Sequence, residues 1–198
     1  MQLNTVFPIA ALASVALLAG CASQVIPPAQ RLHGELAPRA GKAYAIVALT
    51  SDSQRGHRTL FATFSRIAPA ERLALTPAQR IQSRPDMERI GGAEQGMPGA
   101  LHLLELEPGE YEFTEAGSHW PDPAGREPYG EQIRLPLKHR FSLQTGESVY
   151  LGELRLTLDA PPSATVVDAH QRDFRHVTEQ WQVNSVAPVI IRLMETAR

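Results

Sequence analysis

The sequence predicts a mainly β chain folded as an antiparallel β-sandwich, with one or two short helices and a long loop insertion. Three observations carry that prediction. Short apolar runs recur between turn-forming residues. One long stretch, Tyr150 to Leu158, alternates with period two. Apolar residues recur at three- and four-residue spacing at Phe174, Val177 and Trp181. Of the 198 residues, 43% are hydrophobic and 20% charged, which suits a single globular domain with a tail.

Taken in order, Ala43 to Leu49 is an apolar run rich in strand formers, ended by the turn-prone Thr50-Ser51-Asp52-Ser53. Arg58 to Phe64 gives a second strand. Within 65–100, Thr76-Pro77 has the form of an N-cap with proline at the first helical position, and Pro69, Pro85 and several glycines interrupt the rest; a short helix and a long loop are expected. Leu101 to Leu106, the turn Glu107-Pro108-Gly109 and Glu110 to Thr114 read as a hairpin-like pair, with Tyr111 and Phe113 on one face and Glu110 and Glu112 on the other. Trp120 to Gly130 holds too much Pro and Gly for regular structure and reads as a surface loop.

Ile133, Leu135 and Leu137 then alternate with Arg134 and Lys138, and Phe141 and Leu143 lead to a turn at Thr145-Gly146-Glu147. Strict alternation in the next strand sets Tyr150, Gly152, Leu154, Leu156 and Leu158 on one face and Glu153, Arg155 and Thr157 on the other. Asp168 is placed to cap a helix whose Phe174, Val177 and Trp181 stripe packs on a sheet, and Val189 to Leu193 reads as a closing strand. The chain has no internal repeat.

Net charge is −2, and Lys and Arg are scattered rather than clustered, so the sequence offers no phosphate-binding face and no nucleic-acid partner is expected. A single cysteine excludes an intramolecular disulfide. That cysteine follows an apolar segment, Val6 to Leu18, too short for the roughly 20 residues that span a bilayer. Leu18-Ala19-Gly20-Cys21 resembles the lipobox of bacterial lipoproteins, which implies cleavage between Gly20 and Cys21 and lipidation of Cys21. Each buried CH₂ would contribute about 0.8 kcal/mol, so two or three acyl chains hold a protein to a membrane. Ala22 in place of Asp favours the outer membrane by the same resemblance, with the domain facing the periplasm. Ala22 to Arg39, with Pro27 and Pro28 and no periodicity, reads as an extended tether. The expected organisation is a signal peptide at 1–20, a lipidated N-terminus and flexible tether at 21–40, and one β-sandwich domain at 41–198.

Leu106-Glu107-Pro108-Gly109-Glu110-Tyr111, followed by Phe141, Leu143, Thr145-Gly146-Glu147 and Val149-Tyr150-Leu151-Gly152-Glu153-Leu154, resembles a group of uncharacterised bacterial lipoproteins. These carry small sandwiches of the transthyretin-like or carboxypeptidase-regulatory kind, within the broader immunoglobulin-like architecture. The resemblance spans about Gly41 to Val177, rests on turn and core residues, and transfers no catalytic group.

The chain shows neither Gly-x-Ser-x-Gly nor a phosphate-binding loop, and Cys21 is committed to lipid. His170, Asp173 and His176 are the candidates for a metal: on a helix each three-residue step turns about 60° around the axis, which keeps all three near one edge. Their alternative is a solvated helix face, and no cofactor is expected. Trp120 and Tyr129 flank the Pro/Gly-rich loop and are the candidate contacts for a sugar or a protein partner. Together these features predict a membrane-anchored, non-catalytic binding or structural module of the bacterial envelope, with an envelope protein or cell-wall partner. The alternatives are a metal-dependent or carbohydrate-active enzyme, and an accessory subunit of an envelope assembly or secretion machine that adds a partner strand to an exposed edge.

Overall fold

The computed structural model describes residues 28–52, 58–68, 78–84, 90, 98–120 and 132–197. It is a β-sandwich of two sheets with two short helices. The elements are α1 (Pro28–Leu32), β1 (Ala43–Ser51), β2 (Thr59–Ala68), β3 (Gln79–Ser83), β4 (Gly99–Leu106), β5 (Gly109–His119), β6 (Gln132–Leu143), β7 (Ser148–Thr157), β8 (Ser163–Val167), α2 (His170–Glu179), β9 (Val189–Ile191) and β10 (Glu195–Thr196). The first sheet runs β4-β1-β7-β8, with β9 beside β7; the second runs β10-β6-β5-β2-β3.

The second sheet is wholly antiparallel, as expected, whereas the first is mixed: β1 pairs parallel with β7, and β7 parallel with β9. β1 is buried along its whole length because both of its faces are covered, which explains its unbroken apolar run. Ala45, Val47 and Leu49 enter the inter-sheet core with Phe64, Phe113 and Phe141. Tyr44, Ile46 and Ala48 enter a second apolar layer, under α2, with Val177 and Trp181.

Several sequence expectations change here. β4 and β5 do not form a hairpin: β4 pairs with β1 in one sheet and β5 with β2 and β6 in the other, so Glu107-Pro108 carries the chain across the sandwich. Gly109 fits this crossing because a Cβ there would lie 2.5 Å from the Ala68 carbonyl oxygen. The Tyr111 hydroxyl ties the crossing down by donating to the Glu107 carbonyl at 2.8 Å. The helix expected after Thr76-Pro77 is replaced, in the described part, by β3, since pairing of Gln79–Ser83 with Leu60–Phe64 overrides the local helix signal. Thr76 and Pro77 themselves lie outside the described residues.

Strict alternation also fails in β7. Ile46 pairs with Tyr150 but Ala48 with Glu153, so two β7 residues oppose one on β1. Gly152, at φ +97°, accommodates that bulge. The extra residue reverses the facing of the strand: Val149 and Leu151 join Leu154 and Leu156 between the sheets, and Tyr150 turns outward under α2. Glu153, assigned to solvent by alternation, is fully buried. The tether expectation is corrected for residues 28–40, where α1 forms and Leu32 and Leu36 pack into the layer under α2. Residues 21–27 lie outside the described residues.

Candidate functional site

Among the described residues, the sandwich is open along one side, between β6 and β8. β6 keeps its alternation throughout, yet its two ends differ. Phe141 and Leu143 are buried, whereas Ile133, Leu135 and Leu137 are only half-buried, with Ala164 and Val166 of β8 half-buried across from them. Between the two strands lies a groove of about 620 Å³, whose lining includes Leu135, Leu137, Pro162, Ala164 and Ala197.

Among the described residues, β10 covers this edge at Lys138–Arg140: Glu195 pairs with Arg140 and Thr196 with His139, and the Ala197 amide donates to the Lys138 carbonyl at 2.7 Å. From Gln132 to Leu137, no strand among the described residues pairs with that edge of β6. Alternation points the main-chain groups of Arg134 and Pro136 the same way as those of Lys138, so the missing proline N–H falls on the free edge. The outward side chains of the strand include Arg134, Lys138 and Arg140. Arg134 is held by Glu115 at 3.1 Å and Arg140 by Glu112 at 2.7 Å. Lys138 is exposed and has no ion pair among the described residues. Burial lowers the pKa of His139, whose Nδ1 lies 3.2 Å from the Thr196 hydroxyl.

A second cluster lies under α2. Ala169 is the N-cap and makes no side-chain cap; Asp168 instead accepts from the His170 amide at 3.2 Å and contacts its Nδ1 at 2.7 Å. Asp173 is fully buried. It accepts from the Tyr150 hydroxyl at 2.6 Å and from Arg172 Nε at 2.7 Å. Arg172 also reaches Glu153 at 3.3 Å, where Arg155 binds at 2.9 Å and the Thr50 hydroxyl donates as well. Burial raises the Asp173 pKa despite these partners. Burial also pushes the Glu153 carboxyl up, but the Arg155 and Thr50 hydrogen bonds and the Arg172 charge outweigh it, leaving it below the ordinary range.

His170, Asp173 and His176 therefore do not converge as a ligand set. Asp173 is committed to Tyr150 and Arg172, His170 lies on Asp168, and the His176 ring packs edge-on to Trp181 at 6.1 Å. The solvated-face alternative is corrected too, since Asp173 and His176 are both buried. Among the described residues no group of three His, Cys, Asp or Glu is set to hold a metal.

Trp120 is half-buried, with the Arg58 guanidinium 4.8 Å from its ring centre. Tyr129, and the lipidation site at Gly20 and Cys21, lie outside the described residues. A further pair is illegible in the sequence because its members stand 19 positions apart on different strands: the Ser83 hydroxyl lies 2.9 Å from His102 Nε2. Ser83 also bonds the Leu49 carbonyl and the Ala100 amide, each at 3.1 Å, so it straps β3 of one sheet to β1 and β4 of the other. Burial pushes the His102 pKa down to about 4, which keeps this strap neutral near pH 7.

No family model matches the chain, and no curated protein matches it. Among solved structures, a leucine-rich repeat protein from Bacteroides thetaiotaomicron is similar over 61% of this chain at 7% identity and a TM-score of 0.36. The chain spans 14% of that protein's length, a likeness that assigns neither a family nor a function.

Proposed function

We propose that this chain is a lipid-anchored, non-catalytic binding module of the bacterial envelope that receives a protein or cell-wall partner at the open β6–β8 side. The observation that carries the reading is the groove itself. Half-buried Leu135, Leu137 and Ala164 line it beside a strand edge with no neighbour among the described residues. Phe141 and Leu143, farther along the same face of β6, are buried, so a half-buried row beside them is a place for a partner to cover.

Lipid on Cys21, exposure to the periplasm at the outer membrane and the transthyretin-like kinship belong to the same proposal. The first two are supported by Leu18-Ala19-Gly20-Cys21 and Ala22, the last by the two-sheet architecture. Among the described residues no helix is long and apolar enough to cross a membrane. The accessory-subunit alternative draws on the same free edge. The metal-dependent form of the enzyme alternative has less support, because Asp173 is committed to Tyr150 and Arg172; the carbohydrate-active form is untouched by these contacts.

The test is in-cell crosslinking of the intact protein, with mass spectrometry of what co-purifies and Cys21→Ser as control. A reproducible partner at comparable abundance, together with loss of labelled fatty acid in the Cys21→Ser form, is expected. Recovery of the protein alone sinks the binding reading, and labelled fatty acid persisting on Cys21→Ser sinks the anchor.

A further inference from the structure

Resting on that reading, we infer that the occupant of the β6–β8 groove is an extended polypeptide segment alternating apolar and acidic residues. It adds to the free edge of β6 as a strand in line with β10.

Three features of the edge select this occupant. The first is continuity. β10 already pairs antiparallel with β6, and among the described residues the last contact is that of the Ala197 amide with the Lys138 carbonyl. Beyond it the edge offers the carbonyl of Pro136 and both main-chain groups of Arg134 to a strand in the same alignment. The second is the alternation of β6. Side chains of an added strand at the positions opposite Leu137 and Leu135 enter the groove against Pro162 and Ala164, which favours apolar residues there. The third is charge. On the outward face β10 sets Glu195 opposite Arg140, while Lys138 has no ion pair among the described residues and Arg134 lies farther along the free stretch. Acidic residues at the outward positions extend the pattern that β10 begins.

The same features disfavour a second copy of this chain. Antiparallel pairing of two β6 edges centred on Leu135 sets each Arg134 opposite a Pro136 that has no N–H to give. Pairing centred on Pro136 sets Arg134 against Lys138, cation against cation. A polysaccharide would satisfy the main-chain groups but not the row of apolar side chains. Pro136 and the cations thus guard the edge against self-association while leaving it open to an acidic, apolar strand.

The experiment has two arms. In the first, hydrogen exchange of the intact protein is followed by mass spectrometry with a capped nonapeptide alternating valine and glutamate, and with its valine–lysine counterpart. The glutamate peptide is expected to slow exchange in peptides covering Gln132–Lys138 and Ser163–Val167, and the lysine peptide is not. Lys138→Glu, an exposed change that leaves the core untouched, is expected to weaken the glutamate peptide about fivefold and favour the lysine one. Equal effects of the two peptides, or protection elsewhere only, overturn the inference.

In the second arm, a photoreactive residue replaces Lys138, Ser163 or, on α2, Glu179 in cells. Capture from 138 and 163 of a segment alternating apolar and acidic residues supports the inference. Capture of a second copy, of glycan, or of a protein from 179 alone overturns it while leaving the binding module standing. No capture from any position overturns the binding reading with it.

Discussion

The two layers on either side of the first sheet are built from different materials. Between the sheets the packing is apolar and aromatic: Phe64, Phe113 and Phe141 lie with ring centres 5.2 to 6.4 Å apart, and Tyr111 stacks on Phe141 at 5.1 Å. Under α2 a comparable apolar patch surrounds two fully buried carboxylates, Glu153 and Asp173, held by two arginines, a tyrosine and a threonine. The first layer is non-directional and defines which residues are inside. The second is directional and fixes where α2 sits, because a carboxylate without its partners is costly in a dry site. A short helix on the outside of a sandwich buries little surface, and the network supplies its specificity of position.

The largest effect is expected from breaking the aromatic layer. Phe113→Ala should cost about 3–5 kcal/mol in a denaturant melt, and a loss under about 1 kcal/mol would mean that the inter-sheet core is not the main source of stability. Glu153→Gln is expected to follow at about 2 kcal/mol. It is discounted from the full cost of stranding a buried charge, because the arginine side chains it would leave are 34% and 25% exposed. Its signature should be local, with faster hydrogen exchange in α2 and unchanged exchange in β5 and β6. Gly152→Ala should cost about 1–2 kcal/mol, since φ +97° is strained for alanine and the added Cβ meets Leu193 and Val166 at 3.1 Å. If that substitution is neutral, the bulge is not what separates the layers.

The smallest effect lies in pH, and its sign divides the two carboxylates. Glu153 titrates below its ordinary 4.5, so its contribution is present above about that pH and is lost as pH falls through its lowered folded value. Asp173 is shifted upward from 3.8, so its contribution is present at or below about that pH and is lost as pH rises through its raised folded value. Stability measured from pH 3 to 7 should therefore lose its acid-side fall in Glu153→Gln. In Asp173→Asn it should lose a shallow decline above about pH 4. Identical pH profiles for the two variants would show that the network titrates as one group.

Much of the sandwich was legible because alternation reports facing directly: Tyr111, Phe113, Phe141 and Leu143 are inside, as their spacing requires. What alternation cannot report is which sheet a strand joins. Glu107-Pro108-Gly109 signals a reversal equally well for a hairpin and for a crossing, and the distinction lies in β1 and β2, 39 to 64 positions upstream of Glu107. β3 was hidden by Thr76-Pro77, whose local preference is helical until β2 supplies a ladder. Glu153 and Asp173 read as solvent-facing because the groups that satisfy them sit on other elements or beyond a bulge. The groove was illegible for a related reason: Leu135 and Leu137 have the pattern of Phe141 and Leu143, and what separates them is that the first pair is half-buried and the second buried, which depends on neighbours from other elements.

The crossings at Glu107-Pro108 and Gln144–Glu147 have a consequence for assembly in time. Because each sends the chain to the opposite sheet, β1 waits for β7, and Thr50 finds Glu153 103 positions later. Neither sheet is finished before the other is well begun, so the domain has no early half that closes by itself. That ordering delays tight folding until strands from both halves of the chain are available.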